Sequence, residues 1–406
     1  MRSYLTILRL PGALAFCVTG LVARAGVAMM GIGTILMVSA LYDSYAAAGA
    51  VTAANSAGWA IGAAVLANLV DRFGQRRVMI PAVVVSAAML TALILLAVLR
   101  VDVWILYIPS AISGFTGGSI GGMVRARWNH LLDDPQRLHT AFALESSLDE
   151  VTFVVGPAVA TVLATSLFPE AGLTAVVIVS VVGGFAFFSL RATEPPPRPR
   201  LPDAPASHSA LLLRLPGFAP VVVVGLAVGM GFGSIDVSTV AATEAWGAKW
   251  TSGIVLGIMS LGSAISGLAF GSRHWTSPLR IRLLVGVIVF ALGASTFLAA
   301  TGPVVLAACG FVAGAAVSLT FITANSLIQR LVPESRLTEG LAWLGTSIGI
   351  GVSIGASVAG YFIDHFGYHA GFLTVDAVAI VAIVGAVWAA QVLKGVFGNE
   401  TGADLQ

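Results

Sequence analysis

Apolar residues run along this chain in long unbroken stretches, and polar residues are confined to short gaps between them. A helix that crosses a bilayer needs about 20 mainly apolar residues. Runs of that length, bounded by charges or by Pro and Gly, number twelve. They predict helices at 12–40, 46–70, 78–99, 104–124, 140–166 and 171–190 in the first half of the chain. In the second half they predict 218–242, 250–271, 282–300, 303–325, 338–363 and 370–393. Barrel strands alternate between a lipid face and a lumen face, so continuous runs exclude them. The fold class is an all-α membrane protein with twelve transmembrane helices.

Composition sharpens the exclusion. Of 406 residues, 57% are hydrophobic and only 10% are charged, where a soluble domain spends about a quarter on charge. A soluble enzyme, a disordered chain and a nucleic-acid binder are thereby excluded. The net charge of +2 matters less than where the charges sit. All 21 basic residues except Arg24, Arg100 and Lys249 fall in the termini or the even-numbered connections. The positive-inside rule then predicts a multi-pass protein of the cell membrane with both termini cytoplasmic. The basic start, the apolar run from Ala13 and the string Ala23-Arg24-Ala25 bear some likeness to a cleavable signal peptide. The run resumes at once through Val38, so the segment is expected to stay as the first span. Cys17 and Cys309 stand far apart in apolar runs, and neither a disulfide nor a metal site is expected of them.

The chain also repeats itself. Arg9-Leu10-Pro11-Gly12 returns as Arg214-Leu215-Pro216-Gly217, and Gly20 and Gly26 match Gly225 and Gly231 at the same offset. Gly114-Phe115 with Gly118 matches Gly310-Phe311 with Gly314, and Arg137-Leu138 matches Arg336-Leu337. Four matches in one order predict two pseudo-symmetric six-helix bundles sharing one orientation. The expected organisation is a bundle at 1–191, a cytoplasmic Pro-rich linker at 192–213, a second bundle at 214–394 and a cytoplasmic tail at 395–406. The linker string Glu194-Pro195-Pro196-Pro197-Arg198-Pro199-Arg200 cannot continue a helix. It reads as a semi-rigid tether or an inert connector.

Between spans two and three stands Ala67-Asn68-Leu69-Val70-Asp71-Arg72-Phe73-Gly74-Gln75-Arg76-Arg77. It resembles the conserved loop of the major facilitator superfamily, a small residue followed by Asp-Arg-x-Gly and basic residues. The departure is Ala67, where that family usually has Gly. The resemblance implies the major facilitator fold and a cytoplasmic gate built from Asp71, Arg72, Gly74, Arg76 and Arg125. Asp71 would then face the start of span eleven near Thr338, with Arg125 as another partner. A solvated loop would account for the arginines but not for Asp-Arg-Phe-Gly. Gly156-Pro157 in span five resembles the helix-five kink of drug/metabolite–proton antiporters, although Thr152 stands where a Gly is expected. The alternative is an ordinary proline kink.

Charges inside the spans are costly unless paired or hydrated, so they are the candidates for mechanism. Arg24 lies near the middle of span one, and Glu145, Asp149 and Glu150 lie in span five. Glu145 and Asp149, four apart, share a helix face. Arg24 is expected to pair with Asp149 or Glu150, with one of the two acids carrying a coupled proton. A static pair that only holds two helices together is the competing reading. Glu145, nearer the cytoplasmic end, is expected to shape the vestibule. Asp236, which follows Gly229, Gly231 and Gly233 in span seven, is either a substrate contact or a hydrated outer residue. Asp236, Glu145 and Arg24 are the substrate-cavity candidates. Trp59, Trp246 and Trp343 line a path or belong to interfacial belts. The Gly-rich span four lacks the Lys-Ser/Thr of a phosphate loop, so its glycines read as packing. The six histidines form no ligand set. No catalytic constellation, metal site or cofactor is expected.

The expected function is a secondary active transporter moving a small organic solute, a drug or metabolite, by alternating access. Proton-coupled efflux leads, with symport or facilitated uptake as the alternative and a non-transporting membrane sensor as the other class. The expected partners are a small-molecule substrate, protons and the bilayer, and no nucleic acid. The expected state is a monomer.

Overall fold

The structure is a computed structural model that describes residues 2–197, 209–271, 277–333 and 336–397. Among these residues the secondary structure is helical throughout, with no strand. A short helix, α1 (Arg2–Leu8), precedes the crossings. The first six crossings are α2 (Ala13–Tyr42), α3 (Tyr45–Phe73), α4 (Gln75–Val98), the pair α5 (Val103–Gly117) and α6 (Ile120–Leu131), α7 (Pro135–Ser166) and α8 (Ala171–Ser189). The other six are α9 (Phe218–Ala245), α10 (Ser252–Gly271), α11 (Leu279–Ser295), α12 (Pro303–Leu331), α13 (Leu337–Phe366) and α14 (Tyr368–Phe397). All twelve are long and apolar enough to cross a membrane.

The repeat seen in the sequence has a shared local structure. Gly12 (φ +81) and Gly217 (φ +89) are both left-handed N-caps, of α2 and α9. At each the same bonds close the turn: Ala13 N–H to the Leu10 carbonyl, and Phe218 N–H to the Leu215 carbonyl. Pro presets the backbone before the turn and Gly supplies the left-handed residue, so Arg-Leu-Pro-Gly starts a span in both halves.

Span four departs from the single helix expected over 104–124. Gly118 (φ +62, ψ −177) breaks it, and the chain resumes as α6 two residues later, at Ile120. The Trp59 indole N–H donates to the Gly118 carbonyl at 3.2 Å, satisfying a group that the broken ladder frees. Pro157 has no comparable effect, since α7 runs on through it. Gly156 instead admits α2, because a Cβ there would lie 2.8 Å from that of Ala28.

The chain forms two compact units. The first comprises Met1–Asp43 and Ala54–Ala204, and the second Ser44–Ala53 and Pro205–Gln406. The first has a core around Phe16, Met79, Trp128, Phe187 and Phe188, all with side chains wholly enclosed. The second is built around Phe218, Leu283, Leu327, Leu344 and Leu393. Its tightest seam is α9 against α13. A Cβ on Gly229 or Gly233 would strike the Ile348 or Val352 carbonyl, and one on Gly351 or Gly355 the Leu226 or Met230 carbonyl. Backbones that close are the usual means by which membrane helices gain packing in lipid. The first turns of α3 group with this second unit. Asp364, at the end of α13, accepts from the Ser44 hydroxyl (2.6 Å) and from the Tyr45 and Ala46 N–H groups (2.7 and 2.9 Å).

Candidate functional site

The densest polar construction of the first unit is assembled from α2, α6 and α7. Arg24, 7% exposed, bonds its Nε to the Gly20 carbonyl one turn back (3.2 Å), which aims the guanidinium at α7. Its Nη2 meets Glu145 Oε2 at 2.5 Å and its Nη1 meets Asp149 Oδ1 at 2.6 Å. One arginine therefore spans two acids on successive turns of one helix face. Arg125 Nη2 takes the other oxygen of Asp149 at 2.9 Å. Glu145 is wholly enclosed, and its Oε1 accepts from Trp128 Nε1 (2.8 Å) and from the Cys17 thiol (3.3 Å). Phe16 closes edge-on over Trp128 with ring centres 4.7 Å apart.

Two guanidinium and two carboxylate groups balance in charge, which is the condition for keeping such groups in an apolar interior. Gly121 leaves the necessary room. A Cβ there would be 3.2 Å from Arg125 Nη1 and 3.8 Å from Arg24 Cδ. The two acids differ in surroundings: Glu145 is sealed by three donors, Arg24, Trp128 and Cys17, while Asp149 is 26% exposed and its second partner, Arg125, 34% exposed.

This geometry corrects three expectations. Glu145 is not a vestibule residue, because its burial is complete. Glu150 is not a partner of Arg24. It follows Asp149 by one residue and so points about 100° away, and it has no hydrogen bond or ion pair among the described residues. Arg125, expected beside Asp71, is taken by Asp149. Nothing in the residue pattern ranked Trp128 and Cys17 as donors to Glu145, because 17 and 128 positions of chain separate them from it.

The loop that resembles the family motif is placed as follows. Asp71 and Arg72 are exposed, and the Arg72 guanidinium lies 5.0 Å from the Phe73 ring centre. Asp71 has no hydrogen bond or ion pair among the described residues, and the side chain of Thr338 lies outside them. Gly74 (φ +91) is the N-cap of α4. The first turn of that helix is capped by Glu194 of the linker, whose Oε1 accepts from the Arg76 N–H at 2.9 Å.

In the second unit, Asp236 stands on α9 one turn beyond Phe232, which stacks on Phe321 of α12 with ring centres 5.9 Å apart. It is partly exposed and has no hydrogen-bond or ion-pair partner among the described residues. Trp246 donates to the Tyr368 hydroxyl at 3.3 Å, an edge contact that ties α9 to α14. Among the described residues no three His, Cys, Asp or Glu side chains gather as a metal site would require.

Twelve apolar crossings in two units, with charged groups enclosed between helices, define a polytopic membrane protein. The family model for the Major Facilitator Superfamily matches residues 14–281 and 276–401, so the chain belongs to that superfamily. A search of curated proteins gives no match. Among solved structures it is similar to a variant of the nucleoside transporter NupG, at 14% identity over 93% of this chain and 99% of that one, with TM-score 0.73. It is similar too to an auto-inhibited POT-family peptide transporter, at 12% identity over 95% of this chain and 97% of that one, with TM-score 0.72. The POT-family transporter PepTSo follows at 11% identity, 96% and 99% coverage and TM-score 0.68. The protein is a transporter rather than an enzyme.

Proposed function

We propose that this protein exports a small organic solute across the cell membrane in exchange for protons, with both termini cytoplasmic. The observation that carries the reading is the Arg24–Asp149–Arg125 bridge, a carboxylate shared by two arginines and partly open to water. Protonating Asp149 removes the charge that holds both guanidinium groups. Arg24 keeps its bond to enclosed Glu145, while Arg125 loses its partner and is free to move. That difference is what a coupled carrier needs: one side chain stays while another responds to a proton. Glu150, the next residue in the chain, is the second candidate carrier of the coupled proton. Asp236, a carboxylate without a hydrogen-bond or ion-pair partner among the described residues, supports a solute-facing role in the second unit and favours a cationic or neutral solute. Asp71, Arg72, Gly74 and Arg76 serve as the gate that the motif implies, and the transporting species is a monomer.

The test is transport in proteoliposomes with a pH-sensitive dye across cationic, neutral and anionic solutes. Solute movement should be driven by an imposed pH gradient and reverse with it. Asp149→Asn should abolish gradient-driven transport while leaving solute counterflow measurable. Gradient-driven transport that survived Asp149→Asn and Glu150→Gln, singly and together, would leave the bridge as a static clamp. Solute and protons moving in the same direction would indicate symport.

A further inference from the structure

The connection leaving α8 is a fixed strap over its first residues. Arg127, wholly buried, donates from Nη1 to the Leu190 carbonyl (2.8 Å) and the Thr193 hydroxyl (3.0 Å). Its Nε donates to Gln75 Oε1 (2.9 Å), and its guanidinium lies 4.0 Å from the Phe187 ring centre. Gln75 in turn donates to the Met123 carbonyl at 3.1 Å. With Glu194 on the Arg76 N–H, residues 190–194 are tied at three points across the start of α4, and Pro195–Pro197 extend the strap.

Between strap and helix opens a groove of about 630 Å³. Arg76, Arg77 and Arg191 line it, and Glu194 is the single acid among its walls. That acid is engaged by a backbone amide, and none of the three arginines has an ion-pair partner among the described residues. The groove also has an apolar edge, Ile80 and Pro81, in the first turns of a membrane-crossing helix.

We infer that this groove holds the phosphate headgroup of an anionic phospholipid. Guanidinium groups suit phosphate because their planar forks match its oxygens two at a time. The apolar edge on a spanning helix gives acyl chains an exit into the bilayer, a feature that a site for a soluble anion does not need. A volume of this size accommodates a glycerophosphate headgroup and falls within the range of small-molecule sites. A bound headgroup would join strap to α4, and so brace the motif loop beside it. The inference is independent of what the protein transports.

Native mass spectrometry of the full chain tests it, with phosphatidylglycerol, phosphatidylcholine and inorganic phosphate as separate arms. Phosphatidylglycerol should be retained about tenfold over phosphatidylcholine, as expected when each basic contact contributes modestly near a charged surface. Arg191→Gln, at an exposed position, should reduce the preference, and Arg77→Gln/Arg191→Gln should abolish it. Arg9→Gln/Arg137→Gln removes the same charge outside the groove and should leave it intact. The proposal is overturned if the groove variants keep the preference, or if the control pair loses it equally. It is also overturned if inorganic phosphate displaces the lipid, which would make this a soluble-anion site.

Discussion

Glu145 and Asp149 show how two identical charges four residues apart come to have different roles. Both accept from Arg24, but only Glu145 is sealed by Trp128 and Cys17. Removing one member of a buried ion pair leaves the other uncompensated, at a cost of roughly 3–5 kcal/mol. Glu145→Gln should therefore lower the unfolding temperature in detergent well below that of Asp149→Asn, whose site is open to water. Equal losses in a thermal-shift assay would contradict the assignment of anchor and switch. Trp128→Phe keeps an aromatic ring but removes the indole N–H from Glu145, and should cost about 1–3 kcal/mol for the acceptor left short, with a further loss from the gap left by the smaller ring. Gly121→Ala puts a methyl against the mobile end of Arg125 rather than against backbone. The fold should survive it while proton-driven transport weakens, a separation that thermal shift and transport together would reveal. The acids and Arg24 were legible in the sequence because charge is scarce there. Which acid is sealed was not, because sealing depends on α6 bringing Trp128 across a loop and a turn.

At the scale of elements, helix existence was readable and helix continuity was not. Length and apolarity placed all twelve crossings, since a bilayer demands both. The break at Gly118 depends on a left-handed glycine and on Trp59 of another helix donating its indole N–H to the freed carbonyl, and neither shows in a hydropathy run. Pro157, by contrast, lies within one continuous helix and does not interrupt its span as Gly118 does. The glycines divide in the same way. A Cβ at Gly62 would fall 1.9 Å from the Phe115 carbonyl, whereas one at Gly31 meets nothing within 4 Å. Gly62→Val should abolish folding and expression, while Gly31→Ala should stabilise by about 0.5–1 kcal/mol through its lower unfolded-state entropy. A stability rank in the opposite order would show these packing distances to be wrong. Asp364 was a missed residue with a visible signal, because Asp-x-Phe-Gly occurs at 71–74 and again at 364–367. Its carboxylate caps the start of α3, so Asp364→Ala should cost about 1 kcal/mol, and Asp364→Asn, which can still accept, less. Thermal unfolding of the two variants side by side checks the cap.

For the whole molecule, the sequence alone determined the solvent, the number of crossings and the internal duplication. Each follows from one-dimensional facts: a bilayer selects long apolar runs, and a repeated Arg-Leu-Pro-Gly repeats a start signal wherever it occurs. The resemblance at Asp71–Arg77 also carried the superfamily, because a short loop with a required glycine and fixed charges keeps its chemistry local. The tertiary structure alone decided the partners. Arg24 could reach any of three acids, and helix phase gave it Glu145 and Asp149 and turned Glu150 away. Arg125 could serve the motif loop or α7, and it went to Asp149. Glu194 read as part of a tether, yet it caps α4, and buried Arg127 pins the chain that carries it. Sequence patterns settle what each segment must be when one solvent or one local conformation demands it. They leave open which of several satisfactory neighbours a charge takes, because that choice is made by groups distant in the chain that only the packed helices bring within bonding distance.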